Sequence, residues 1–463
     1  DTAINCDSFG HSAGLPQILK KCGYKNYVFC RPNRTHAPQY KEEYIWEGVD
    51  GSKIRCYHSS KIYCSGMGYA AQDIKNYIEQ HSDMQTALVL WGVGNHGGGP
   101  SRKDLADIEE LKKSCGVELV HSTPEKYFSE KKDIGEVVKN SIGPFAPGCY
   151  TSMVPVKQAH YKVENLLYSV EKMAAVADML GLVKYDFEGF EFAEKKMLLS
   201  EFHDILPGSG IKDVETYALG MLGAAEDRLR EIRAKIIFAF AYTQKAAQPD
   251  TYPNFVYNPH PYEVNELNEF EFMLSNGYYL NMRYTDFDVY MDGKKVKSQV
   301  VKERSQLNME WRKRVVVECP LKPSSLTRFD FVENVKTERP SHGKVGEKYI
   351  FEGNGAKITL DCTTGRITSI VKDGKEYLQE SIRFEIWQDK PCAWSISPEQ
   401  NRILATKLDE FRLMTVEEAE DYCKDKTLPV QIVEDGDILT VIEALFKYKS
   451  SVIRAKYKFI KAT

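Results

Sequence analysis

The hydrophobic period changes twice along this chain, and that change restricts the available folds more than any other feature. Up to residue 150, short apolar runs alternate with helix-like segments. Thr2–Cys6, Asn26–Cys30, Lys53–Tyr57, Ala87–Trp91 and Val117–His121 are predicted as strands. Pro16 stands where a helix would begin, Gly23 where it would stop, and Asp50-Gly51 signals a tight turn. Strands alternating with helices imply a parallel sheet, hence α/β. From 151 the spacing becomes three and four. One predicted helix carries Val163, Leu166, Leu167, Val170, Met173, Ala174, Ala177 and Leu180, with Ser152 as its cap, Pro155 in its first turn and Gly181 at its end. A second carries Phe192, Leu198, Leu199, Phe202 and Ile205; a third carries Ile211, Val214, Ala218, Met221, Leu222, Ala225, Leu229 and Ile232. From about 250 the period is two, broken at Asn276-Gly277, Asp292-Gly293, Thr364-Gly365 and Asp373-Gly374, with an acidic helix candidate at Val416–Cys423. The expected organisation is multidomain, α/β then α then β. It places an α/β domain at 1–150, a three-helix bundle at 151–247, a β-sandwich at 250–338 and a second one at 345–463.

A chain of 463 residues is too long for one core. Its 62 basic and 66 acidic residues give a net charge of −4, which argues against a nucleic-acid partner. No apolar stretch reaches the ~18–20 residues of a membrane span. Eleven cysteines, an odd number at irregular spacing without a C-x-x-C pair, speak against both a secreted disulfide framework and a thiolate zinc knuckle. A reducing, cytoplasmic setting is expected. The chain opens Asp1-Thr2-Ala3-Ile4 at the edge of a strand and ends in a strand pattern, so the natural protein is expected to continue beyond it.

Ligand-handling residues of α/β sheets lie past the carboxyl ends of strands. Two polar clusters fall there: Asp7 with His11, and Asn95 with His96. A carboxylate at Asp7 can be a nucleophile, a base or a hard-metal ligand; it can equally be a helix cap or a buried, hydrogen-bonded group. His203 falls on one helical stripe with Leu199 and Leu206, which suits either a packed core histidine or a ligand oriented by Asp204. The stretch Trp91-Gly92-Val93-Gly94-Asn95-His96-Gly97-Gly98-Gly99-Pro100 lacks the Lys-Ser/Thr of a phosphate loop. Its glycines suit either close backbone approach to a ligand or a plain loop.

Several segments, in order, resemble glycoside hydrolase family 38, the α-mannosidases. They are Asp7-Ser8-Phe9-Gly10-His11-Ser12, Leu15-Pro16-Gln17-Ile18-Leu19-Lys20-Lys21, Trp46-Glu47-Gly48-Val49-Asp50-Gly51-Ser52, the glycine stretch 92–100, Gly148-Cys149-Tyr150-Thr151-Ser152 and Phe202-His203-Asp204-Ile205-Leu206-Pro207-Gly208-Ser209. Phe255-Val256-Tyr257-Asn258-Pro259 and the run from Leu360 to Ile367 resemble the entries to the family's β-domains.

The resemblance implies a zinc-dependent, retaining exo-α-mannosidase. Its architecture would be a seven-stranded α/β barrel, a three-helix bundle and β-sandwiches. Its substrates would be α-mannoside glycans, and a homodimer is the expected assembly. By resemblance Asp7 is the nucleophile and a zinc ligand, and His203 a second zinc ligand. Arg31, Tyr63, Asn95 and Asp204 contact substrate. A retaining enzyme sets its acid/base roughly 5–5.5 Å from the nucleophile. Where the family often has an aspartate the glycine stretch has Asn95, so His96, which titrates near neutrality, is the expected acid/base. The family's remaining zinc ligands come from an upstream H-x-D motif, and only six residues precede Asp7 here. An inactive carbohydrate-binding protein on the same fold is the alternative; a deacetylase-like hydrolase is a third.

Overall fold

The computed structural model describes residues 1–33, 41–59, 63–82, 84–94, 97–131, 135–143, 146–275, 284–304, 311–338, 342–388, 394 and 406–461. Its contacts divide it into two units, one of residues 1–162, 195–224 and 390–404, the other of the remainder.

In the first unit the strands are β1 (Thr2–Asn5), β2 (Asn26–Phe29), β3 (Glu43–Glu47), β4 (Lys53–His58) and β5 (Val137–Val138). They form one sheet in the order β1-β2-β4-β3-β5. β1, β2 and β4 run parallel, whereas β3 is antiparallel to β4, so among the described residues the sheet is mixed and open rather than a closed parallel barrel. Tyr27, Phe29, Tyr44, Trp46, Ile54 and Cys56 pack into one buried cluster; Val28 and Tyr57 pack with Tyr127 and Phe128 in another. Alternate residues of a strand face opposite sides, which is why β2 feeds both clusters.

Helix α1 (Leu15–Lys21) starts with Pro16 in its first turn, as expected. Helices α2 (Ala70–Gln80) and α3 (Arg102–Ser114) bury Ala70, Ile74 and Ile108 against each other; α4 (Pro124–Glu130) is capped by the Thr123 side chain.

Two expected strands are not strands. In Ala87–Trp91 the alternation is present: Leu88 and Leu90 pack on one cluster, Val89 and Trp91 on another. No ladder joins these residues; the nearest pairing is a lone bridge between Ser65 and Val93. Val117–His121 leaves Val117 and Val120 exposed, and only Leu119 packs. The strand β3, which the sequence reading passed over, has a clean in–out alternation with Tyr44 and Trp46 buried.

Three long helices follow: α5 (Val154–Met179), α6 (Phe187–Ser200) and α7 (Lys212–Tyr242). α5 buries Val163, Val170, Met173, Ala174 and Ala177, and α7 buries Ala218, Met221, Leu222, Ala225, Leu229 and Ile232, much as expected. Leu180 and Ile211 are exposed, because both lie outside the helices. The Ser152 hydroxyl donates to the Gly148 carbonyl at 2.9 Å, and α5 begins two residues later at Val154. On α6 the buried face is Phe190, Ala193 and Met197, while Phe192, Leu198 and Leu199 are about half exposed; beyond the helix Phe202 is half exposed and Ile205 buried. The expected stripe was therefore rotated off the true one. No helix among the described residues is long and apolar enough to cross a membrane.

In the second unit the β region begins with β6 (Thr251–Asn258), β7 (Val264–Met273), β8 (Tyr284–Met291), β9 (Lys294–Val296), β10 (Ser298–Val301), β11 (Arg312–Leu321) and β12 (Ser325–Lys336). They form two sheets, β10-β11-β7 and β6-β12-β8-β9, around Phe270, Phe287, Val289, Val315, Val317, Phe329 and Phe331. Asp292-Gly293 makes the β8–β9 turn with both residues at positive φ, as that pair suggests. A further set follows: β13 (Lys348–Gly353), β14 (Ala356–Asp361), β15 (Arg366–Lys372), β16 (Lys375–Glu376), β17 (Glu385–Gln388), β18 (Thr406–Glu410), β19 (Arg412–Leu413), α8 (Val416–Cys423), β20 (Val430–Asp435), β21 (Leu439–Tyr448) and β22 (Ser451–Ile460). Its core is Phe351, Leu360, Val430, Ile442, Ala444, Phe446 and Phe459. Val301 and Val316 of the first set share a buried cluster with Ile438, Leu439 and Val441 of the second. The Gln299 amide spans the same seam, accepting from the Ile438 and Leu439 N–H groups and donating to the Leu439 carbonyl.

Candidate active site

β1 and β2 run parallel, so Asp7 and Arg31 leave the sheet at the same, carboxyl-terminal edge. Arg31 Nη2 lies 3.3 Å from Asp7 Oδ1. Both side chains are about a quarter exposed, enough to meet a ligand and too little for water to screen the pair fully. Tyr63 joins them, its hydroxyl hydrogen-bonded to the Asp7 carboxylate. That bond, with burial and the carboxylate's charge, pushes the Tyr63 hydroxyl up to about 12, while Arg31 pulls the other way. The phenol therefore stays protonated and donates. Two residues singled out in the sequence thus converge on the carboxylate of a third.

The scaffold under Arg31 is built from histidines. His11 is buried against Phe29, and its Nε2 lies 2.6 Å from the Arg31 carbonyl while Nδ1 lies 2.8 Å from the Tyr27 hydroxyl. A carbonyl only accepts, so Nε2 carries the proton, and Tyr27 donates to Nδ1. Burial drives the His11 pKa down to about 4, so the ring is neutral at ordinary pH. His58, at the end of β4 and stacked on Phe29, donates from Nε2 to the Pro32 carbonyl at 2.7 Å. The sequence reading noticed His11 beside Asp7 and missed His58; its place at the carboxyl end of a strand was the available signal.

The glycine stretch packs on its own chain. A Cβ on Gly98 would sit 2.2 Å from the Val93 carbonyl oxygen, and one on Gly94 2.2 Å from the Cys64 Cβ. The Ser65 N–H donates to the Gly92 carbonyl at 2.8 Å, and Val93 N–H to Gly99 at 2.9 Å. The glycines therefore permit close approach, and what approaches is protein backbone next to Tyr63. Asn95 and His96 lie outside the described residues.

His203 does not lie on a helix. α6 ends at Ser200, and residues 201–208 are a series of turns. Tertiary contacts fix them: Lys157 donates to the Ser152 and Leu206 carbonyls, and a Cβ on Gly208 would meet the Ser152 oxygen at 2.6 Å. The His203 ring is 37% exposed, beside Phe202, with Nε2 3.7 Å from Asp204 Oδ2. Asp204 Oδ1 accepts from Ser209 at 2.7 Å. Asp204 thus neighbours the His203 ring at ion-pair distance. Among the described residues no hydrogen bond or ion pair joins His203 to Asp7, and no group of three or more His, Cys, Asp or Glu is placed to hold a metal. One observation does fit a cation: Asp7 Oδ1 is buried and, beyond its ion pair with Arg31, has no hydrogen-bond partner. Asp7 and His203 are an oxygen and a nitrogen donor of the kind zinc accepts, but two ligands fall short of the usual set.

Compared with known proteins, residues 1–144 match the glycosyl hydrolases family 38 N-terminal domain, and residues 145–240 the alpha mannosidase middle domain. This chain belongs to glycosyl hydrolase family 38. Curated relatives include "Alpha-mannosidase 2C1" of Homo sapiens, 26% identical over 223 residues, covering 46% of this chain and 21% of that protein. "Alpha-mannosidase G" of Dictyostelium discoideum is 26% identical over 224 residues, covering 44% and 20%. The chain thus corresponds to a fraction of those relatives' length. Among solved structures, an alpha-mannosidase from Enterococcus faecalis V583 superposes with a TM-score of 0.69 at 16% identity, covering 96% of this chain and 54% of that one. A second family 38 protein from Enterococcus faecalis gives 0.54 at 15% identity, covering 95% and 58%. At those identities the superpositions speak for the fold. Both family 38 domain matches fall in the α/β and helical parts, where Asp7, Arg31, Tyr63 and His203 lie.

Proposed function

We propose that this chain carries the catalytic core of a zinc-dependent, retaining exo-α-mannosidase that removes terminal α-linked mannose from glycans. The observation that carries the reading is the convergence of Arg31 and Tyr63 on Asp7 at the sheet's carboxyl edge. A carboxylate so placed can attack the anomeric carbon and hold the glycosyl-enzyme ester. Tyr63 and Arg31 hold the Asp7 carboxylate in place, and stabilise the charge it shares with the sugar. His11 and His58 fix the backbone from which Arg31 reaches. Asp7 and His203 would hold zinc, with further ligands supplied from outside these residues. When bound, the metal would grip neighbouring hydroxyls of the sugar, which separates mannose from glucose by its axial 2-hydroxyl. The proton donor is assigned to His96, with Asn95 and Asp204 on the sugar's hydroxyls. In this reading the mixed sheet is part of the family barrel and α5–α7 its three-helix bundle. A cytoplasmic homodimer completes it, and the ten free cysteines among the described residues suit that compartment.

The test uses full-length protein and an aryl α-mannoside, with and without a chelator. Turnover that chelation removes and added zinc restores is expected, and Asp7→Ala should abolish it. Turnover untouched by exhaustive chelation sinks the zinc assignment. A second reading, an inactive carbohydrate-binding protein, is favoured by the two-ligand metal set. It predicts mannoside binding without turnover by the zinc-loaded full-length protein.

A further inference from the structure

Cys6 follows β1 and Cys30 follows β2, one residue before Asp7 and Arg31 respectively. The parallel register runs Thr2↔Asn26 to Asn5↔Phe29, so the next pair along is Cys6 and Cys30. The Cys30 side chain is hydrogen-bonded to that of Cys6. Both are free thiols. Directly opposed residues of neighbouring strands lie roughly 5 Å apart, within the ~4.4–6.8 Å between α-carbons that a disulfide spans. Cys30 is 2% exposed, whereas Cys6 is partly open to solvent. Cys30 also accepts a hydrogen bond from the Tyr63 N–H. Each of the three side chains at the candidate centre is therefore one peptide bond or one hydrogen bond from this sulfur pair.

We propose that Cys6 and Cys30 form a reversible dithiol–disulfide site that accepts a low-molecular-weight disulfide such as oxidised glutathione, and that closing it switches the centre off. The sulfur of Cys6, the accessible member, attacks one sulfur of the oxidant. The oxidant's S–S bond breaks, one thiol leaves with the proton from Cys6, and a mixed disulfide remains on Cys6. Cys30 then attacks Cys6, expelling the second thiol with its own proton. In sum two protein thiols are oxidised and one small disulfide is reduced to two thiols. The new bond brings the two sulfurs to ~2.05 Å and moves the sulfur that accepts from the Tyr63 N–H. Displacing a reacting group by ~1 Å can cost about 100-fold in rate. Disulfides of this kind in reducing compartments are transient and regulatory.

The loss of activity rests on the proposed α-mannosidase reading; the bond itself does not. The experiment treats full-length protein with oxidised glutathione, maps peptides without reduction, and follows aryl α-mannoside turnover before and after added dithiothreitol. A Cys6–Cys30 crosslink with at least a 10-fold loss of turnover, reversed by dithiothreitol, is expected. Cys22→Ser should behave as wild type, and Cys30→Ser should halt at the mixed disulfide on Cys6. If either cysteine variant fails to fold, maleimide labelling of wild-type protein reads the same chemistry as two protected thiols. No crosslink after exhaustive oxidation overturns the proposal, as does a crosslink that leaves turnover unchanged. A crosslink in protein that is inactive even when reduced and zinc-loaded upholds the dithiol site and sinks the mannosidase reading instead.

Discussion

Tyr63 and Arg31 act on the same carboxylate but fail differently when removed. Tyr63→Phe deletes one hydrogen bond to a charged acceptor, worth roughly 1.5–3 kcal/mol, so kcat/KM on an aryl α-mannoside should fall roughly 10- to 100-fold. An unchanged value would detach Tyr63 from the chemistry. His11 gives a pH prediction. Its folded pKa is about 4 against 6.5 for the free ring, so the unfolded chain binds the extra proton in that window. Stability is then full above about 6.5 and declines as pH falls toward 4, by on the order of 3 kcal/mol. Urea unfolding between these pH values would show the slope, and His11→Gln, which can donate to Arg31 and accept from Tyr27, should flatten it. At this scale Asp7 was legible because a strand's carboxyl end is a local pattern, and Arg31 through the family resemblance. His58 stands at a strand's carboxyl end too, but nothing within Lys53–His58 says that its ring will meet the Pro32 carbonyl. That contact exists only once β2 and β4 are paired.

Among the elements, the glycine stretch and α8 make opposite demands. Gly98→Ala would drive a methyl into the Val93 carbonyl at a φ of +136°, and a cost above ~2 kcal/mol is expected, seen as a lowered melting temperature. Thr415→Ala removes one half of the capping box with Glu418 and should cost about 1 kcal/mol without touching turnover. Periodicity revealed the helices but misjudged their ends. α6 stops at Ser200 because Lys157, Ser209 and the Ser152 backbone hold the following residues in turns, and of these Lys157 and Ser152 lie far away in sequence. Ala87–Trp91 teaches a related lesson. Two-residue alternation reports which side chains are buried; it does not supply a neighbouring strand to pair with.

For the molecule, the order of α/β, helical and β parts was readable from the period alone, while the mixed sheet was not: parallel and antiparallel neighbours leave the same mark on a sequence. The seam inside the second unit was equally hidden. Gln299→Ala would leave the Ile438 and Leu439 N–H groups buried and unanswered, costing at least ~2 kcal/mol, and chemical denaturation should report it. The apolar half of that seam matters for anyone dividing the protein. A fragment truncated at residue 338 would carry Val301 and Val316 as a bare greasy scar. It should come out of an expression host in inclusion bodies, whereas a fragment from 250 through 463 keeps that scar covered. The two β regions are best cloned, crystallised and mutated as a single piece.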